Sequence, residues 1–486
     1  IRINLTIINK YLISYRMIRK TSKESIAPYL IDASNYPSGN AEEVVIPETV
    51  NELISFLEKD SRLITIAGAG TGLTASRIPF EGVVISLESF NEIESVKKNE
   101  VWVGPATTLL QIRDYLKHTV WFYPPNPTEW NASIGGTLAT NASGSRSYKF
   151  GVTRDFVNAV DCVLVDGRRV LVERGQKISK PLLMNDGSEI SFPVIIYKSP
   201  KCKNTAGYFV KPEMDWLDLF VGSEGTLAIF VKVCLRLIKK PDKFLSGVLF
   251  FEEEKHCWEL TRKIKLNSLV LPCSLEYFDQ YSLIMLKEKY PNIPMHAKAA
   301  LFFEEDVVDK ENYNLMLENW IKFLTDKNVL LDDSWFAHDE KDVLAFHEFR
   351  HQIPILVNEK NAKDNREKIG TDMAVSDNYF DEMMRYYEKT LSDTGLPYVI
   401  FGHIGDNHLH INLLPGPSQK NLALALYDEI AKKIFSWNGT VSAEHGIGKK
   451  KKEYFFQMIG KSNMEDLKTI KNTLDPQNRL GAGNIF

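Results

Sequence analysis

The hydrophobic pattern changes period along the chain. From Val50, apolar residues recur at Leu53, Ile54 and Leu57, and this i, i+3, i+4, i+7 spacing predicts an amphipathic helix with Pro47 in its first turn. Residues 63–67 and 83–87 are short apolar runs that predict buried strands, as do residues 156–165 and 230–237. Beyond residue 245 the strand-like segments 246–251 and 299–303 alternate with a helical pattern over 312–324. Residues 398–401 and 409–414 read as two strands flanking a turn. Intermixed strands and helices of this kind predict an α+β fold.

Length sharpens that picture. A chain of 486 residues exceeds the ~250–300 at which one hydrophobic core stops growing, so two or three domains are expected. The net charge of −4 argues against a broad basic face, and so against nucleic-acid or anionic-membrane binding. No run approaches the ~18 apolar residues of a membrane helix. Residues 1–20 carry five positive charges and no acid, which suits a targeting segment. The alternative is that residues 1–16 are translated upstream sequence ahead of Met17, and the fold is read without them. The five cysteines, Cys162, Cys202, Cys234, Cys257 and Cys273, form no Cys-x-x-Cys pair and read as reduced, packed thiols of a cytosolic protein.

Candidate chemistry begins after the 63–67 strand, where Gly68-Ala69-Gly70-Thr71-Gly72 would let backbone N–H groups approach a phosphate. A Rossmann turn does not fit, because Leu73 stands where the third glycine is required and only ten residues separate Gly72 from the next strand. A second element follows Pro125, Pro127 and Thr128: from Ala132 to Ser147, 12 of 16 residues are Gly, Ala, Ser or Thr. Such a run cannot fill a core but brings backbone close to a large flat ligand. A third, Gly222 to Ile229, leads into the strand at 230–237.

These three elements resemble the FAD-binding domain of the vanillyl-alcohol oxidase/p-cresol methylhydroxylase flavoprotein superfamily, in which two α+β subdomains hold an extended FAD. The resemblance implies that Gly68, Ala69, Gly70, Thr71, Gly72 and Leu73 cradle the diphosphate. It also implies that Pro125, Pro127, Thr128, Gly135, Gly136, Asn141, Ser143, Gly144, Gly151, Thr153, Glu224, Gly225 and Ile229 contribute to the cofactor site. Some relatives attach FAD through His or Cys in the first loop; neither occurs between Ile66 and Thr74, so non-covalent FAD is expected.

The carboxy-terminal half concentrates its chemistry in Gly402-His403-Ile404-Gly405-Asp406-Asn407-His408-Leu409-His410, which holds three of the ten histidines. A turn there would let the imidazoles of His403 and His410 converge on a divalent metal. Val441-Ser442-Ala443-Glu444-His445-Gly446-Ile447-Gly448 adds a carboxylate, a histidine free to act as base, and two glycines that let backbone crowd the site. Two histidines and a glutamate leave coordination positions open for substrate.

Taken in order, the motifs resemble the D-2-hydroxyacid dehydrogenase branch, which includes D-lactate dehydrogenases, D-2-hydroxyglutarate dehydrogenase and the glycolate oxidase flavin subunit. The likeness spans residues 32–486 and ends in Leu474-Asp475-Pro476 and Gly483-Asn484-Ile485-Phe486. It implies a PCMH-type FAD-binding domain at 31–243 after an extension at 1–30, an antiparallel-sheet α+β cap domain at 244–438, and a C-terminal helical segment at 439–486 completing the active site. It assigns His403, His410 and Glu444 to a divalent metal, with zinc the expected ion, and His445 to the catalytic base. Asn412 would touch the substrate and Arg350 would clamp its carboxylate. Two departures stand out. The family usually has Asn where this chain has His408, and its substrate lysine has no secure counterpart, Lys368 being the first candidate and Lys363 the second.

The expected reaction is oxidation of a small 2-hydroxy acid to the 2-oxo acid, with hydride transfer to FAD. The competing reading is a zinc hydrolase using the same histidines without flavin. The electron acceptor is left open among flavoproteins, quinones and cytochromes. The default expectations are a homodimer in the cytoplasm, peripheral to a membrane only through that acceptor. Lys449 to Lys452 are read as a solvated helix start, or else as a dock for an acidic partner.

Overall fold

The computed structural model describes residues 17–364 and 366–486, so the readings of residues 1–16 lie outside it. The first helix runs over Val50–Lys59 and buries Leu53, Phe56 and Leu57. Thr49 caps it by accepting the Glu52 N–H, which puts Pro47 ahead of the cap rather than in the first turn. Helix and strands together build a four-stranded sheet in which Ile64–Ala67 and Glu43–Ile46 flank Val83–Ser86 in parallel, with Ile18–Lys20 antiparallel at the edge. The crossover from Ile64–Ala67 to Val83–Ser86 contains no helix. An irregular loop makes the connection instead, and it carries the glycines at the C-terminal end of a parallel strand.

A second sheet is antiparallel throughout, in the order Glu100–Val103, Ile229–Arg236, Val157–Val163, Arg169–Glu173. Its Val163, Ile229 and Val231 share a core with Val45, Ile64 and Val83 of the first sheet and Leu53 of the helix. The small-residue run contains the helix Ile134–Thr140, capped by Ser133 and closed by Asn141 in the left-handed region. Periodicity misses this helix because glycine and threonine draw no apolar stripe.

The region expected to form the cap contains one antiparallel sheet in the order Trp335–Phe336, Lys243–Phe251, Ala299–Val307, Ser274–Phe278, Tyr398–Gly402, His408–Leu413, Ile369–Gly370, with Met373–Ala374 also pairing against His408–Leu413. The helix predicted at 312–324 is preceded by a 3-10 turn and covers Tyr313–Leu324. Polar contacts tie this sheet and its hairpin turn to residues 146–149, at the end of the small-residue run. Arg146 grips Glu304 with Nε and Nη2 at 2.6 and 3.0 Å, Lys149 meets Asp306 at 2.5 Å, and Ser147 donates to Asp406 at 2.5 Å.

The last segment returns to the first sheet. The helix Lys452–Leu474 bends at Gly460, and Leu480 then bridges to Ile64 in parallel. The lysine cluster divides: Lys449 is buried and Lys451 half-buried, each with a partner inside the fold, whereas Lys450 is exposed. Lys449 Nζ donates to Asn484, Lys450 Nζ to the Ser34 carbonyl, and Lys451 Nζ to Asp372. All five cysteines are unpaired, and Cys202 alone is not fully buried. Among the described residues no helix is long and apolar enough to cross a membrane.

Candidate active site

A cavity of about 680 Å³, large enough for a cofactor, opens between the two small sheets and reaches the cap. Gly68, Ala69, Gly70, Thr71, Gly72, Leu73, Pro127, Thr128, Gly135, Gly136, Ser143, Gly144, Glu224 and Gly225 line it. Pro125, Asn141, Gly151, Thr153 and Ile229 do not. Thr153 donates to the Ala142 carbonyl at 2.7 Å, Asn141 accepts the Arg154 N–H at 2.9 Å, and Ile229 is core. These residues shape the wall from behind.

The donor set of the first loop suits a diphosphate. Among the described residues, the N–H groups of Ala69 to Leu73 donate to no protein acceptor. Gly70 sits at φ +81°, where a Cβ would fall 2.0 Å from Arg77 Nη1. The guanidinium therefore lies against the loop, and Arg77 also lines the cavity. Clustered amides with a cation beside them form an anion site.

At one end the wall is formed by His403, Glu444 and His445. Glu444 is the centre of this cluster. Its Oε2 lies 3.3 Å from His403 Nε2 and 3.9 Å from His408 Nδ1, and its Oε1 lies 3.4 Å from His410 Nε2 and 3.6 Å from His445 Nε2. The far nitrogen of each ring faces an acceptor. His403 Nδ1 meets Glu276 at 2.6 Å, His408 Nε2 meets Asp372 at 2.9 Å, His410 Nδ1 meets the Thr371 carbonyl at 3.1 Å, and His445 Nδ1 meets Asp372 at 3.2 Å. Metal-ligating histidines are held this way, one nitrogen on a carboxylate or carbonyl and the other presented inward. The ligand atoms of His403, His408, His410 and Glu444 lie within 4.8 Å of one another, so the residues fit a divalent cation.

Local structure explains the convergence. The hairpin pairs Phe401 with His410, and Asn407 at φ +54° turns the chain between its strands. Alternation along His408–Leu413 then puts His408, His410 and Asn412 on one face. Asn412 is buried two residues beyond His410, paired in register with Gly370 and Val399. Gly448, at φ +50°, could bear no side chain, because a Cβ there would lie 2.0 Å from the Thr74 carbonyl oxygen. Glu224 accepts the Ser76 hydroxyl at 2.8 Å and the N–H groups of Ile447 and Gly448 at 2.7 Å. It fastens the Glu444–His445 turn to the glycine loop.

Charges in the cluster are set by opposing causes. Burial disfavours ionised Glu444, yet Lys203 and His403 outweigh it and hold the carboxyl well below its usual range. Lys203 Nζ lies 3.3 Å from Glu444 and 3.5 Å from Asp406. Burial pushes His403 down, but Glu276 more than reverses this and raises it to about 9. Burial lowers His408 to about 3, leaving a neutral imidazole. Burial also disfavours ionised Asp372, but His445 and Lys451 keep it charged well below the normal carboxylate value.

The remaining sequence candidates are placed differently. Arg350 is buried off the cavity wall, with Nε 3.3 Å from Glu276 and Nη1 2.8 Å from His351. It thus steadies the carboxylate that holds His403, and Nη2 makes no hydrogen bond among the described residues. Lys368 is exposed, as is Lys363 at the end of the helix Glu340–Lys363. Four residues of the site escaped the sequence reading: Asp372, Glu276, Lys203 and Arg77. Glu276 had a visible signal, a lone carboxylate in the fully buried strand Ser274–Phe278. The others carry no pattern of their own.

The fold and site define a flavin-dependent oxidoreductase architecture, and comparison gives it a family. Residues 240–485 match the FAD-linked oxidases, C-terminal domain, and residues 41–173 match the FAD binding domain. The chain belongs to the FAD-linked oxidases. It is 26% identical over 477 residues to the glycolate oxidase subunit GlcD of Bacillus subtilis, covering 94% of this chain and 92% of that one. It is 26% identical to the D-lactate dehydrogenase of Anaerostipes hadrus, covering 91% and 88% of the two chains. With the D-2-hydroxyglutarate dehydrogenase of Stutzerimonas stutzeri the identity is 22%, over 96% and 95%. A solved alkyldihydroxyacetonephosphate synthase shares the fold, with a TM-score of 0.66 at 14% identity over 97% of this chain and 82% of that one. The flavin-free hydrolase reading is overturned, since it has no use for an FAD binding domain.

Proposed function

We propose that this protein oxidises a small D-2-hydroxy acid to the corresponding 2-oxo acid, using non-covalent FAD and a divalent ion held by His403, His410 and Glu444. The observation that carries the reading is the position of His445. It lines the cofactor cavity beside Glu444 and is held from behind by Asp372 at 3.2 Å. When bound, FAD supplies a hydride acceptor and the ion a Lewis acid for the 2-hydroxyl.

The chain's own residues do the rest. His445 Nε2 takes the hydroxyl proton, because Asp372 holds Nδ1 and leaves the other nitrogen facing the cavity. Arg350, behind the wall on Glu276, would reach a substrate carboxylate only through its unpaired Nη2 at the cap end of the site, and Asn412 orients the substrate from the same strand face as His410. Lys368, the candidate for the substrate lysine, is exposed and does not line the cavity, so it stays outside this assignment. Turnover with bound FAD would require an external electron acceptor, taken to be a flavoprotein, quinone or cytochrome. Zinc is the first ion to test, and a cytoplasmic homodimer is the working assembly.

Anaerobic mixing of the purified flavoprotein with D-lactate, D-2-hydroxyglutarate and glycolate tests the reading. One of them should bleach the visible flavin band within the turnover time. A flavin that none of the three reduces would overturn it.

A further inference from the structure

We infer that this chain builds its metal site from four protein ligands, with His408 Nδ1 added to His403 Nε2, His410 Nε2 and Glu444. The inference rests on the metal reading of the site and goes beyond the three-residue set. It is argued from the geometry of one buried histidine that the three-residue set leaves out.

His408 is fully buried and its Nδ1 hydrogen-bonds to nothing. Glu444 Oε2 lies 3.9 Å from Nδ1, too long for a hydrogen bond. Its ring centroid lies 4.6 Å from that of His410 and 5.3 Å from that of His403, and strand alternation puts it on the same face as His410. A histidine kept only for packing would satisfy both nitrogens or be replaced by an apolar side chain. Here Nε2 lies 2.9 Å from the Asp372 carboxylate without forming a hydrogen bond to it, so neither nitrogen is satisfied within the chain, and Nδ1 is the one on the side of Glu444. The four side chains bring one ligand atom each within 4.8 Å of the others.

The fourth ligand changes what the site accepts. A tetrahedral ion with four protein ligands would be closed to substrate. The His408 set therefore favours an ion that takes five or six ligands, with the open positions left for the substrate.

The test is metal binding by the flavin-loaded protein, not turnover. X-ray absorption of the unaltered protein loaded with one Co(II) should count three imidazoles. His408→Asn should keep its flavin and still bind one Co(II), about 10–100-fold more weakly and with two imidazoles. Two imidazoles in the unaltered protein, or unchanged affinity in His408→Asn, would refute the fourth ligand while leaving the three-residue site intact. Failure of the unaltered protein to bind a stoichiometric ion would refute both, and would leave the flavin reading untouched. Should His408→Asn not fold, the imidazole count on the unaltered protein decides alone.

Discussion

Asp372 Oδ2 lies 3.2 Å from His445 Nδ1, and the same carboxylate receives the backbone N–H of His445 at 3.1 Å. Ring and backbone are thus fixed by one group, which determines the nitrogen presented to the cavity. His445→Ala should slow flavin reduction by about 10²–10⁴-fold while the protein stays yellow. Asp372→Asn should produce a loss in the same direction, because the ring is no longer oriented. Stopped-flow reduction under anaerobic conditions measures both, and near-normal rates in His445→Ala would remove that residue from the mechanism.

The docking of the cap should weaken in acid. Glu304 is fully buried; burial disfavours its charge, but Arg146 and His347 outweigh this and hold the carboxyl well below its ordinary 4.5. A carboxyl depressed in the folded state stabilises above its unfolded value and loses that contribution as the pH falls through 4.5 toward the folded one. Glu304→Gln should cost about 3–5 kcal/mol at neutral pH, since it leaves Arg146 buried without a partner. The gap in melting temperature between the two proteins should narrow below about pH 4. A gap that is independent of pH would show that the pair does not titrate with folding.

Gly448→Ala tests the seam between the two ends of the chain. The new Cβ would meet the Thr74 carbonyl oxygen at 2.0 Å, in a backbone conformation that disfavours side chains. We expect a loss of about 1–3 kcal/mol or more and a lower flavin content as purified. Thermal unfolding and the ratio of visible to protein absorbance measure the two effects.

Arg77→Ala addresses the diphosphate end. Removing a charged donor beside the glycine loop should weaken FAD binding by about 10–100-fold, with turnover recovered at saturating FAD. Ultrafiltration of the diluted holoenzyme gives the dissociation constant. An unchanged value would place the diphosphate elsewhere.

The parts of the fold legible in the sequence were those with a strong period or an unusual composition. Val50–Lys59 announced itself by its stripe, and the histidine hairpin by its spacing. Ile134–Thr140 did not, since its helix rests on a Ser133 cap and close packing rather than an apolar face. The lysine cluster misled because charge runs are usually solvated, whereas Lys449, Lys450 and Lys451 each find an acceptor brought in by a distant segment. His403, His410, Glu444 and His445 could be named in advance because their motifs are local. Asp372, 73 positions before His445, could not, because tertiary folding alone brings its carboxylate there.

Glu224 binds Ile447 and Gly448 across more than 220 residues of chain, and Leu480 closes on Ile64. During synthesis the glycine loop therefore leaves the ribosome long before the residues that complete it. A nascent chain holding only the first two sheets has an unfinished cofactor chamber with no wall of His445 and Glu444. The cofactor chamber is therefore closed only when segments from both ends of the described fold have met.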